Sequence, residues 1–359
     1  RRARDYRGQG QGLIGGLYKA ILDRGIPVHF ETRARHLVRD GERVVGVTAE
    51  QNGREVRYRA RRGVVIATGG FEWNDKLVKA FLRGPLTGPI SVPECEGDGL
   101  MMAMEVNASL GNMANAWWIN SSLESTAGHR DARPNFLPSQ VERSYPGSIM
   151  VNKYGKRFVN ESLNYNALGY ALHNFDADKY EFPNLPYYLI FDSRFASKYR
   201  VFTSRPGEPV PPWAKQADTL DELADLTGVD GPNLVATVAR FNELVRQGHD
   251  DDFGRGDSTF DNFWGDQTLE PPMCTLGLID QPPYFSIKME QGANGTCGGP
   301  RANGDGQVLG WDDEPIDGLY VCSNTMAAVT GGGYGGAGGT IGPGMTFGYL
   351  AGRHAALKG

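Results

Sequence analysis

The chain has 359 residues, 40% of them hydrophobic, enough to bury a sizeable core. At roughly 100 to 200 residues per domain it is expected to form about two domains. Its 37 basic and 42 acidic side chains leave a net charge of -5 with no long run of one sign. That excludes a basic footprint for nucleic acid or an anionic membrane and points to a small-molecule partner.

The four cysteines, Cys95, Cys274, Cys297 and Cys322, form no C-x-x-C pair and read as free thiols of a reducing compartment, with a cytoplasmic location expected. No stretch reaches the ~18 consecutive apolar residues of a membrane span, so no transmembrane segment is predicted. The basic opening Arg1-Arg2-Ala3-Arg4 leads into no apolar signal core.

In chain order, Leu13, Leu17 and Ile21 recur at helical spacing with Ile14 beside them, and Gly25 stands where a C-terminal cap belongs. Three β-rich runs follow, around Val28 to Val38, Val44 to Ala49 and Val56 to Ala60, separated by Asp40-Gly41 and Asn52-Gly53. Those dipeptides favour type I′ turns and predict a three-stranded antiparallel meander. The continuous apolar run Val64-Val65-Ile66-Ala67 then ends in Thr68-Gly69-Gly70, as a strand buried on both faces ends at a ligand crevice.

From about residue 111 to 282 the composition shifts to aromatics, prolines and short helical stretches such as Asn233 to Gln247, the pattern of an inserted domain. The last segment restarts with the turn Asn303-Gly304-Asp305-Gly306 and a strand from Gly318 to Cys322. A glycine-rich loop then feeds a helix from about Thr340 to Leu357. The expected fold class is α/β: a Rossmann-like domain with an antiparallel meander in segments 1–110 and 283–359, plus an inserted α+β domain over 111–282.

Chemistry concentrates in the loop from Gly331 to Met345. Apart from Tyr334, Ile341 and Met345 it has no bulky side chain to fend off a flat ligand. Glycine lets backbone N–H groups reach a ligand, and the following helix aims its positive end at the same place, which suits an electron-rich carbonyl edge such as the pyrimidine side of a reduced flavin. The six histidines show no ligand spacing, and no metal site is predicted.

Gly-Tyr-Gly-Gly-Ala-Gly-Gly-Thr-Ile-Gly-Pro-Gly-Met-Thr-Phe-Gly, from Gly333 to Gly348, resembles the C-terminal FAD motif of the 3-ketosteroid 1-dehydrogenases, within the fumarate reductase/succinate dehydrogenase flavoprotein superfamily. So do Ala67-Thr68-Gly69-Gly70-Phe71, Gly97-Asp98-Gly99, Trp117-Trp118, Pro146 to Asn152 and Gly155 to Ser162, all in family order. The resemblance implies non-covalent FAD held at Ala34, Thr68, Gly69, Gly70, Asp98, Asn324, Gly338, Gly339, Thr340 and Ile341.

It further implies removal of two hydrogens from adjacent carbons beside a ring ketone, of a steroid or a similar cyclic ketone, with a separate electron acceptor. Tyr165 then takes the proton, while Tyr334 and the Gly338 N–H hold the ketone oxygen. Arg157 and Glu161 are implied as a structural pair supporting the loop. A tyrosine titrates near ~10, so Tyr165 needs a helper or a lowered pKa to accept a proton near neutrality. The family supplies a second tyrosine from an N-terminal part that this sequence does not contain.

Three departures qualify the resemblance. Nothing in residues 1 to 60 matches the family's Gly-x-Gly-x-x-Gly pyrophosphate turn, which implies a truncated sequence, a split enzyme with a partner subunit, or a degenerate protein. Asn164 replaces a proline before Tyr165, and Tyr334-Gly335-Gly336-Ala337-Gly338 lacks the family's prolines. The competing readings are a fumarate reductase-like ene-reductase, whose proton-donating arginine falls on Tyr165, and a non-catalytic subunit.

Overall fold

The computed structural model describes residues 8–129, 131–139 and 141–358. Its first helix, Gln9–Asp23, closes on Gly25 in the left-handed region (φ 60) but buries none of its residues. The apolar stripe read from the sequence is exposed, Leu17 at 44% and Ile14 at 57%.

The meander forms from Thr32–Asp40, Arg43–Gln51 and Arg54–Arg59, paired antiparallel in that order. Its first strand starts at Thr32 rather than near Val28. Asn52 (φ 51) and Gly53 (φ 72) are both left-handed, as a type I′ turn requires.

Strand Val64–Ile66 runs parallel to Pro315–Val321, pairing Val64 with Leu319 and Ile66 with Val321, and Gln307–Leu309 adds an antiparallel edge. Ile66, Leu319 and Val321 pack with Val44, Ala103 and Val106. Val65 points away and is 40% exposed. The strand is therefore covered on one face, not the expected two, because among the described residues only the Ile66 side meets a core.

The middle of the chain builds a six-stranded sheet in the order Asn135–Ser139, Ala116–Ser125, Tyr284–Thr296, Tyr187–Asp192, Ser148–Asn152, with Lys215–Ala217 also on Tyr284–Thr296. Successive residues alternate between two cores, as strand geometry demands. Met150, Leu189 and Phe191 join Leu168 and Leu172 of helix Tyr165–Leu172 on one face. Ile149, Val151 and Ile190 join Leu223, Leu234 and Phe241 of helices Leu220–Thr227 and Gly231–Gln247 on the other.

Those two helices carry strong end signals: a Thr219/Glu222 capping box with Gly228 closing the first, and Asp230 with Gly248 bounding the second. Strand Tyr284–Thr296 belongs to this sheet, although it follows the 282/283 boundary expected from composition.

Inside the sheet's edge sits a charge cluster. The Arg157 guanidinium bridges Glu161 (2.8 Å) and Asp250 (2.8 and 3.0 Å), and Arg255 reaches Glu161 at 3.1 Å. Glu161 also accepts the Met150 N–H at 3.2 Å, tying the cluster to strand Ser148–Asn152. Burial alone would raise the Glu161 carboxyl, but the Arg157 and Arg255 charges outweigh it and hold it below the usual carboxylate range.

Glu161→Gln leaves two buried arginines short of a carboxylate and is expected to cost about 3–5 kcal/mol, measured by urea unfolding. Because the folded carboxyl is depressed, its stabilisation is present above the unfolded value of about 4.3 and is lost as pH falls below it. In Glu161→Gln that part of the acid sensitivity disappears.

Candidate active site

Two loops meet at the carboxyl ends of the parallel pair. The Cys322 N–H donates to the Ile66 carbonyl (3.1 Å), continuing the pairing up to the turn. Beyond it the Thr325 hydroxyl donates to the Gly69 carbonyl at 2.9 Å and lies 3.4 Å from the Thr68 hydroxyl. Thr68 Oγ1 in turn accepts the Gly99 N–H at 3.2 Å, at the start of helix Asp98–Glu105. A Cβ on Gly99 would lie 2.2 Å from that hydroxyl, so only glycine lets the helix close on the loop.

The expected cofactor residues fall into three groups along this crevice. At one edge, the Asp98 carboxylate is gripped by Arg33 Nε at 2.6 Å and Nη2 at 2.7 Å, and Ala34 is the next residue of that strand. Asp98 is thus engaged by a cation that the sequence did not single out. In the middle stand Thr68, Gly69, Gly70 and Asn324. The Asn324 side chain accepts the Trp117 indole N–H at 3.2 Å, and Ser323 beside it holds a left-handed φ of 63. At the far end Gly338, Gly339, Thr340 and Ile341 lead into helix Ile341–Leu357. Trp117, Asn324, Thr330, Gly339 and Thr340 line one pocket.

The tyrosines converge at that far end. Tyr165 opens helix Tyr165–Leu172, whose cap is the Asn164 side chain accepting the Asn166 N–H at 2.9 Å. The Tyr165 ring lies 5.5 Å from that of Tyr334, edge to face, and Tyr334 lies 5.2 Å from Trp117. A Cβ on Gly339 would sit 2.7 Å from the Tyr334 ring, which explains a glycine there.

The same helix fastens the loop. Asn166 Nδ2 donates to the Gly332 carbonyl at 3.3 Å, and the Tyr170 hydroxyl lies 3.2 Å from it. These two anchors escaped sequence reasoning, since an asparagine and a tyrosine inside a helix carry no local signal. Thr325 escaped it for the same reason.

Tyr165 is 8% exposed. Burial pushes its phenol well above the ordinary tyrosine value, the neighbouring Tyr334 phenol pushes the same way, and Arg143 pulls weakly against both. The shift opposes the lowered value a proton acceptor needs, because among the described residues no cation touches the hydroxyl. Tyr165 is therefore a neutral phenol near neutrality.

The far end fits a flat, electron-rich ligand. Among the described residues the Gly338 and Thr340 N–H groups have no acceptor, and a Cβ on Gly335, Gly336 or Gly338 would meet open space. Donors without acceptors at the positive end of a 17-residue helix suit a carbonyl edge such as that of a flavin. Among the described residues no group of three His, Cys, Asp or Glu could hold a metal, and no helix is long and apolar enough to cross a membrane.

Comparison with known proteins agrees with this geometry. The FAD binding domain family matches residues 1–341. The chain is 41% identical to 4-oxocyclohexanecarboxylate 2-dehydrogenase of Sinomonas cyclohexanicum, over 97% of this chain and 61% of that protein. It is 39% identical to 3-oxosteroid 1-dehydrogenase of Mycobacterium tuberculosis, over 97% and 63%.

Its fold superposes on the crystal structure of 3-ketosteroid delta1-dehydrogenase from Sterolibacterium denitrificans in complex with 1,4-androstadiene-3,17-dione. The TM-score is 0.91 at 34% identity, covering 98% of this chain and 64% of that one. The chain thus spans a little under two thirds of the length of these relatives. It belongs to the FAD binding domain family, as a member resembling the 3-ketosteroid 1-dehydrogenases.

Proposed function

We propose that this chain forms the cap and much of the flavin crevice of an FAD-dependent dehydrogenase that removes two hydrogens from adjacent carbons beside a ring ketone. The observation that carries the reading is the contact of Tyr165 with Tyr334 beside the unengaged Gly338 N–H. Two neutral donors, the Tyr334 hydroxyl and the Gly338 amide, hold the ketone oxygen as it gains enolate character, and they need no reorganisation to do so.

Tyr165, as its phenolate, takes the proton from the carbon next to the ketone. When bound, FAD supplies the hydride acceptor. Thr68, Gly69, Gly70, Asn324 and Gly338 to Ile341 would hold it, with Ala34 and the Arg33-Asp98 pair at the other edge of the crevice. The relatives named for a 3-oxosteroid and for 4-oxocyclohexanecarboxylate both act on a ketone in a six-membered ring, and that shared chemistry defines the substrate class proposed here.

A second reading, a fumarate reductase-like activity, draws on 28% identity to NADH:fumarate oxidoreductase of Klebsiella pneumoniae. It is disfavoured because Tyr165 and Ala337-Gly338 stand where that chemistry needs arginines to grip a dicarboxylate. A non-catalytic subunit of a split flavoenzyme is the remaining alternative. It predicts flavin binding without turnover even when the accompanying polypeptide is supplied.

Tyr334→Phe removes one of the two oxygen donors and is expected to lower turnover of a cyclic ketone about 10²-fold with flavin absorbance retained. An unchanged rate would remove Tyr334 from the mechanism.

Because the Tyr165 phenol is raised, its phenolate fraction grows only on the alkaline side. Turnover in the complete enzyme should therefore climb with pH through about pH 9. A flat profile between about pH 6 and 9 in stopped-flow flavin reduction would exclude Tyr165 as the acceptor.

A further inference from the structure

Three buried arginines surround the loop that leads into Tyr165, and they are not equivalent. Arg157 is matched by Glu161 and Asp250, and Arg255 by Glu161. Arg143, 1% exposed, has no carboxylate within ion-pair distance among the described residues. Its Nη1 donates to the Leu163 carbonyl at 2.8 Å and to the Glu161 carbonyl, and its Nε has no partner. Leu163 lies two residues before Tyr165.

A buried charge without a counter-ion is costly, and tying two carbonyls does not require one, since a neutral amide donates as well. The feature therefore calls for a use of the charge itself. We infer that Arg143 is a positioning residue for the proton transfer. It locks the backbone that presents Tyr165, and its charge, without an ion-pair partner and enclosed beneath that backbone, favours the phenolate. This inference rests on Tyr165 being the proton acceptor.

The surroundings preserve that charge. Burial brings the Arg143 guanidinium down to about 10, which leaves it protonated at neutral pH. The groups facing it are Tyr187, Arg255, Glu142 and Asp261. Glu142, the adjacent carboxyl, is pushed up by burial, so it neutralises Arg143 less than an exposed glutamate would. Among the described residues the groups that shift Tyr165 are Tyr334 and Arg143, of which Arg143 acts toward the anion. A positive charge near a buried phenol favours the anion, and a shift of one unit corresponds to about tenfold in phenolate fraction.

The test incorporates 3-fluorotyrosine at position 165 of the flavin-loaded protein and follows its ¹⁹F signal against pH. Arg143→Gln and Arg143→Met remove the charge, either sufficing if the other does not fold, and Arg143→Lys retains it. The expected result is a midpoint about one unit higher in Arg143→Gln or Arg143→Met, with Arg143→Lys near the parent. A midpoint unmoved by charge removal, or moved as far by Arg143→Lys, overturns the inference.

Turnover of 4-oxocyclohexanecarboxylate or 4-androstene-3,17-dione by Tyr165→Phe tests the underlying reading separately. An undiminished rate there sinks the role of Tyr165 whatever the titration shows.

Discussion

Everything at the candidate site depends on a parallel pairing three residues long, Val64–Ile66 against Leu319–Val321. Parallel strands release their chains at the same end, so the turns that follow them share one crevice. Here they are Thr68-Gly69-Gly70 and Ser323-Asn324-Thr325, fastened by the Thr325 hydroxyl on the Gly69 carbonyl. Were this pair antiparallel, the glycine-rich loop and the Thr68 turn would leave from opposite ends. The pairing is short and half exposed, yet hydrogen bonds from the Gly99 N–H to Thr68 and from the Cys322 N–H to Ile66 extend its order into the loops.

The second half of the site is imposed by a different layer. Helix Tyr165–Leu172 is held on the central sheet by Leu168 and Leu172, and the Trp118 N–H donates to Asn166 Oδ1 at 2.9 Å. Its opposite contacts, Asn166 and Tyr170 on Gly332, reach across to the return segment. One short helix thus registers the central sheet against the glycine-rich loop, and the Tyr165–Tyr334 contact is a consequence of that registration. The charges of Arg157, Glu161, Asp250 and Arg255 brace the turn from which the helix departs, so the precision of Tyr165 is supported by buried ion pairs rather than by the glycine loop.

Much of this was legible in the amino acids. The meander followed from the turn signals Asp40-Gly41 and Asn52-Gly53, although only the second forms a pair of left-handed residues, Gly41 alone being left-handed at the first. The helical stretch expected from Asn233 to Gln247 forms as Gly231–Gln247, with Asp230 and Gly248 at its ends. Pairing partners were not legible. Strand Tyr284–Thr296 gives no local sign that it joins Ala116–Ser125 rather than the return segment, since register depends on residues far away in the chain. Nor did sequence distinguish Val65 from its neighbours, because exposure of one strand face is decided by what packs there. The Arg33-Asp98 clamp and Arg143 were hidden for a related reason: a guanidinium bound across the fold reads in sequence as one more surface charge.

Tyr165 and Tyr334 raise a physical question that the fold answers. A cation placed directly on a ketone oxygen would bind the developing anion strongly, but it would equally attract any carboxylate and bring the hydration of a charge into a dry crevice. Neutral phenol and amide donors avoid both costs and favour the oxygen most when charge develops on it. Their weakness is that a phenol buried without help resists losing its proton, which is the direction found for Tyr165. Placing positive charge one layer back, at Arg143 behind Leu163, addresses that weakness without offering the charge to a ligand. On the proposed reading, specificity for a ketone and the capacity to move a proton are thereby assigned to different layers of the protein, one facing the crevice and one enclosed beneath it.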